Sequence, residues 1–373
     1  MRPSDLNNLK SPFSTGEDPE LAFPKSVGVN VPEVEALYRQ IFNDLDEKVF
    51  GIGRWAPHPG TRRRILISHY LLECVRSIRE NLTEAGLHLL EAVDHWDKES
   101  DFLADSVSVD RQGHVSFKVP PRRSPEDDLA RRMATLHAVG FFRAVMGALD
   151  CLGASIVGVL ALPTNIQYAG FKSPQQVQKK ATHQFQSDFL SKLGSIVSAA
   201  GPPGWVEWVT DFRNMVMHRG RRIHIQHIVS RPSPLFGPDG MIIPRAMNAQ
   251  HLPNEPCRSH VEAFQDVDRR PMLTEHAEVT MRGVLESSVS VAKKLCIELE
   301  EVWKQRRANP ELLKQPRENW PETDPNLRTN FNGYKPDTLP FDPLTWVSHR
   351  DIERQLRTAA LSDDLLPLWA AFD

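Results

Sequence analysis

The stretch SPEDDLARRMATLHAVGFFRAVMGALDCLGASIVGVLAL, residues 124–162, decides the fold. It opens with a helix start. Ser124 has the hydroxyl of an N-cap, Pro125 suits the first helical position, and Glu126, Asp127 and Asp128 place acids in the first turn. The helix runs to about Leu162 and reads as apolar on every side, and a helix without a polar face must be surrounded. The stretch therefore reads as the central helix of a bundle. Ala138 to Leu162 is also long enough to span a bilayer, but Arg143 and Asp150 lie inside it and each is costly in lipid. No membrane span is expected. A buried, unpaired carboxylate is costly, so Asp150 needs a partner. Arg143 lies on the same face but about 10 Å along the axis. Arg213 and other helices are the alternatives. Structural pairing is the default role, and positioning a catalytic arginine is the sharper one.

Outward from this helix, most of the chain has helical spacing. Val34, Leu37, Ile41 and Leu45 mark a helix over Pro32–Phe50. Thr61–Asp97 reads as one long or two consecutive helices. Pro174–Ala199, Pro203–Arg219, Leu273–Arg307 and about His349–Phe372 complete the set. Two stretches change period. Residues 106–119 alternate around an Asp110–Gly113 turn and read as a small hairpin. Arg222–Val229 alternates as a strand, and a Pro/Gly loop leads from it to the short apolar run Met241–Ile243. The expected class is mostly α: an antiparallel helical bundle with small β-hairpin appendages. Residues 1–30 form a loose arm and 31–307 the helical domain, with hairpin insertions near 106–119 and 221–247. Residues 308–373 form a Pro- and Trp-rich extension ending in a helix.

The chain has 373 residues, 40% hydrophobic and 25% charged, with a net charge of −3. That excludes whole-chain disorder and a fibrous repeat, and confines any nucleic-acid site to a local patch. Cys74, Cys151, Cys257 and Cys296 include no CxxC pair, so they read as free thiols. No apolar signal segment opens the chain, and a cytoplasmic location is expected. A Walker loop, a dinucleotide fingerprint, GxSxG and HExxH are all absent.

The segment WVEWVTDFRNMVMHRG, residues 205–220, carries the chemistry. On a helical wheel Trp205, Trp208, Val209, Phe212, Met215 and Val216 form one face. Glu207, Asp211, Asn214 and His218 form the other, and Arg213 lies on a flank, about 140° from His218. From periodicity alone, a surface helix with a cationic last turn is the default reading. Arg213, Arg219, Arg221, Arg222 and Arg231 make an acid-free basic stripe suited to a phosphate backbone. His224 and His227 are three apart on an alternating strand and point to opposite faces, so they do not converge on a metal. His137 reads as a core or boundary histidine. No metal site and no cofactor are expected.

The order Arg213-Asn214-x3-His218, late in an amphipathic helix that follows a buried bundle helix, resembles the HEPN superfamily. The resemblance covers about residues 125–220 and extends to 61–307 as a bundle; Gly220 stands where some members have Tyr. It implies metal-independent RNA cleavage in a site shared by two chains. His218 would act as acid or base, Arg213 would grip the phosphate, and Asn214 would fix the imidazole or the phosphate. Arg219, Arg221 and Arg222 would bind RNA, and Asp150 and Arg143 would support the site. The implied partners are RNA, a second copy of the chain, and an antitoxin or regulatory protein. The alternative is a non-catalytic module of the same fold that binds RNA, a nucleotide or a partner protein.

Overall fold

Apolar residues recur every third or fourth position in Pro32–Leu45 (α1), and Val34, Leu37, Ile41 and Leu45 are the ones it buries. In the computed structural model the described residues are 29–45, 61–109, 115–117, 123–218, 225–236, 242–252, 273, 275–309 and 334. For 61–68, 100, 103–109, 115–117, 218, 225–236 and 242–251 the description is of the backbone alone. Nearly all of the expected N-terminal arm, nearly all of the C-terminal extension and its last helix lie outside the described residues.

Thr61–Ser106 (α2) is one unbroken helix of 46 residues. It pairs with Pro125–Val159 (α3) as an antiparallel hairpin. Asn81 meets Cys151, Glu84 meets Arg143, His88 meets His137, and Glu99 meets Arg123 near the start of α3. Both Glu99 oxygens accept from Arg123, each at 2.7 Å, and Glu99 is only 2% exposed. This fork–fork pair pins the end of α2 to the entry of α3.

The start of α3 is a capping box. The Asp127 N–H donates to the Ser124 hydroxyl at 3.1 Å, and the Ser124 N–H donates to the Asp127 carboxylate at 3.0 Å. Only the later part of the helix is central. Every residue from Leu152 to Val159 is buried, whereas Leu129 and Leu136 near the start are exposed. The expectation of a helix surrounded throughout is corrected to one that emerges from the core toward its N-terminus. Of the described helices, α3 is the one long and apolar enough by composition to cross a membrane, and its apolar window lies mostly inside the bundle.

The C-terminal carbonyls of α3 have dedicated donors. The Gln186 side-chain amide donates to the Leu160 carbonyl at 2.7 Å. Fully buried Arg306 donates to the Gly158 carbonyl at 2.9 Å and also to the Val159 carbonyl. A cation at a helix C-terminus is favoured by the dipole, which offsets part of the cost of burying the guanidinium. Burial depresses the Arg306 pKa. Arg306 comes from Ala277–Ala308 (α7), which packs against α1, α2, α3 and the helix Gln184–Ser198 and so closes the bundle.

The sequence expectation of one helix over Pro174–Ala199 is corrected. The chain forms a 3-10 turn at Ile166–Tyr168, a single turn at Ser173–Gln176 (α4), another 3-10 turn at Gln178–Lys180, and then Gln184–Ser198 (α5). Trp205–His218 (α6) follows. Val107–Val109 (β1) pairs antiparallel with Val115–Phe117 (β2). Ile225–Phe236 (β3) pairs with Ile242–His251 (β4), with Ile225 opposite His251 and an irregularity between Pro232 and Phe236. Both β3 and β4 run past the alternating segments: each ladder bond satisfies backbone groups whatever the side-chain pattern, and Pro232 and Pro234 fall where the register breaks.

Candidate functional site

Aromatic packing sets the roll of α6. Phe212 lies with its ring centroid 4.2 Å from Phe142 of α3, and Trp208 packs edge-on to Phe142 at 5.7 Å. Trp205 donates its indole N–H to the Val197 carbonyl at 3.2 Å, fixing the entry from α5. With Trp205, Val206, Val209, Phe212 and Val216 buried, Arg213 and Asn214 stand half-buried on the flank.

That roll brings Arg213 onto α3. Its Nη2 lies 3.3 Å from Oδ2 of Asp150, and the other oxygen of Asp150 accepts the Phe171 N–H at 3.1 Å. Gly153 makes this possible. A Cβ there would stand 2.3 Å from the Gly170 carbonyl oxygen, so only glycine lets the 165–173 segment cross close enough to α3 to present the Phe171 N–H. Asp150 is therefore clamped from the loop on one side and from α6 on the other. Burial raises its pKa, outweighing the Phe171 N–H and the Arg213 charge, which both lower it. Its neighbour Cys151 is a free thiol, pushed up to about 11 by burial, with Asp150 and Glu80 adding to the rise. A thiol so raised is a poor nucleophile at neutral pH. Cys74 and Cys296 are also free, and burial raises both.

Arg213 and Asp150 come together. Asn214 follows Arg213 on α6, about 6 Å along the axis from the final residue, His218. The His218 side chain and residues Arg219, Arg221 and Arg222 lie outside the described residues. Arg143 does not join Asp150: its guanidinium bonds Glu84 of α2 at 2.7 Å. The two residues share a face of α3, but two turns separate them and each finds a nearer partner on another element. What the Arg213–Asp150 pair can do is hold a planar fork of donors in one orientation, half-exposed, at the edge of the bundle. That is a geometry suited to a phosphate oxygen.

A second cluster escaped the sequence reading. His88, Glu91 and His95 of α2 gather around His137 of α3. The signal was present in HLLEAVDH, residues 88–95, whose spacings of three and four put all three on one helix face. His137 completes it only once the α2–α3 register is known. Burial lowers the His137 pKa, with His88 and His95 adding to the effect against Glu91.

No family model, no curated protein and no solved structure matches the chain.

Proposed function

We propose that the chain is an endoribonuclease of the HEPN kind, acting without a metal by attack of the RNA 2′-hydroxyl on the adjacent phosphate. The observation that carries the reading is the Arg213–Asp150 pair at 3.3 Å, which holds the arginine of the Arg213-Asn214-x3-His218 motif at the bundle edge. In this reading Arg213 stabilises the charge on the phosphorane, His218 transfers the proton, and Asn214 orients one of them. Asp150 is a positioning residue, and Arg143 has no part. Arg213 and His218 point about 140° apart on one helix, so two copies of α6 meeting across a two-fold axis make the complete site. Arg219, Arg221 and Arg222 of both chains would line the groove for RNA. An antitoxin or regulatory protein in a bacterial stress or antiviral setting, in the cytoplasm, is the partner class this reading brings with it.

The test is purified protein with single-stranded RNA in EDTA, with product ends analysed and mass measured by light scattering. The reading expects a dimer and 2′,3′-cyclic phosphate ends. Ends bearing a 3′-hydroxyl, or a strict monomer that cleaves, would overturn it. The second reading, a non-catalytic module that binds RNA, a nucleotide or a partner, is favoured by one observation: the Arg213 charge is already met by Asp150. Salt-sensitive RNA binding without cleavage, weakened in Arg213→Ala, would decide for the module.

A further inference from the structure

Between α2 and α3, well away from Asp150, three histidines and a glutamate converge. Ligand atoms of Glu91, His95 and His137 all lie within 4.8 Å of one another. Nδ1 of His88 is 3.0 Å from Nδ1 of His137, and the rings of His95 and His137 stack with centroids 5.9 Å apart. Gly140 keeps the place open. A Cβ at that position would stand 2.4 Å from Nε2 of His88, so the ring rests where an ordinary side chain would be. Nδ1 of His95 is buried and has no hydrogen-bond partner among the described residues. A buried nitrogen in that state costs stability unless something occupies its lone pair or takes its proton.

A chain of polar contacts runs behind His137. Arg143 donates to Glu84 at 2.7 Å, and the same Glu84 oxygen lies 3.5 Å from Nε2 of His88. A carboxylate only accepts, so a His88 proton on Nε2 would face Glu84 and leave His88 Nδ1 as an acceptor. His137 would then donate from its Nδ1, with the lone pair of its Nε2 left for a metal. This is the arrangement by which outer carboxylates orient metal-binding histidines.

We propose that Glu91, His95 and His137 bind a divalent transition-metal ion of the Zn²⁺ class, with His88 as the positioning residue for His137. Two imidazoles and one carboxylate favour Zn²⁺ over Mg²⁺ or Ca²⁺ and leave a coordination position for water. Tetrahedral bonds of about 2.0–2.1 Å put donor atoms about 3.3 Å apart, so the cluster must contract by at most about 1.5 Å. Glu91 is exposed and His95 and His137 are half-buried, so rotation of side chains suffices. The ion would tie α2 to α3. His137 and Asp150 are thirteen residues apart on α3, about 20 Å along its axis, so the site is separate from the proposed RNA site.

The experiment uses the full chain, stripped with EDTA and dialysed, then titrated with ZnCl₂ by calorimetry and with CoCl₂ by visible absorption. The chain has 14 histidines, so the comparison with variants decides. The expectation is one tight equivalent in the wild type with visible ligand-field bands of bound Co²⁺. His95→Ala should lose at least about 100-fold in affinity and most of the band intensity, and His88→Gln about 10-fold. Zn²⁺ should raise the Tm of the wild type and not that of His95→Ala. If His95→Ala unfolds, Glu91→Gln on the exposed surface decides in its place, with a loss of about 10-fold or more expected. A wild type without a stoichiometric tight equivalent, or a folded variant of Glu91 or His95 that keeps wild-type affinity and bands, would overturn the proposal.

Discussion

Replacing Asp150 by Asn separates what the carboxylate does by charge from what it does by accepting a hydrogen bond. The Arg213–Asp150 pair is 28% and 39% exposed, so its attraction is screened and contributes about 0.2–1 kcal/mol. Against that stands the cost of keeping the carboxylate half out of water, which raises its pKa. Asp150→Asn keeps an oxygen for the Phe171 N–H and removes both charge effects, so the net change at neutral pH should stay within about 1 kcal/mol. Asp150→Ala also orphans the Phe171 N–H and should cost about 1–3 kcal/mol more. The pH dependence follows from the direction of the shift. A raised pKa means that the folded state binds the proton more tightly than the unfolded state. Asp150 therefore contributes stability below the ordinary aspartate value of about 3.9, and this is lost as pH rises through the raised folded value. Asp150→Asn cannot lose it. Urea unfolding of the two proteins across this acid range should show Asp150→Asn gaining on the wild type as pH rises. A loss above about 2 kcal/mol for Asp150→Asn at pH 7, or a wild type that gains on the variant with rising pH, would refute the reasoning.

Other perturbations test the frame that positions the site. Arg306→Leu removes a donor from each of the Gly158 and Val159 carbonyls and should cost about 1–3 kcal/mol in urea unfolding; unchanged stability would mean that the guanidinium is not needed to satisfy them. Gly153→Ala places a methyl against the Gly170 carbonyl and should destabilise by about 1–3 kcal/mol, with faster exchange of the Phe171 amide hydrogen. If that exchange does not change, the crossing segment is not held as described. Glu99→Gln should cost about 1–3 kcal/mol by weakening the fork to Arg123, and thermal unfolding without a drop in Tm would count against that clamp.

How far the sequence could be read depended on the range of the interaction. The start of α3 was legible because Ser124 and Asp127 satisfy each other within four residues. The stripe of α1 and most of the apolar face of α6 were legible because burial follows spacing along a single helix; Val206, also buried, was not assigned to that face. The break-up of 163–183 was not, because that segment is shaped by what it reaches: the Phe171 N–H to Asp150, and the Thr182 and His183 N–H groups to Gln186, which is itself bonded to the end of α3. Arg213 could be named as one partner for Asp150 but not chosen over Arg143, since the choice depends on how α6 rolls against Phe142. The histidine cluster was hidden for the same reason. Its α2 members sit within eight residues, but His137 arrives only through the antiparallel register of α2 and α3.

The most direct test of the proposed activity is the rate at which a labelled single-stranded RNA is cut in EDTA by the wild type, Arg213→Ala and His218→Ala, with helix content followed by circular dichroism. The account predicts cleavage by the wild type and a fall of about 10²–10⁴-fold for His218→Ala, with helix content retained in both variants. Equal rates in all three proteins, or a rate lost only together with the helical signal, would contradict it.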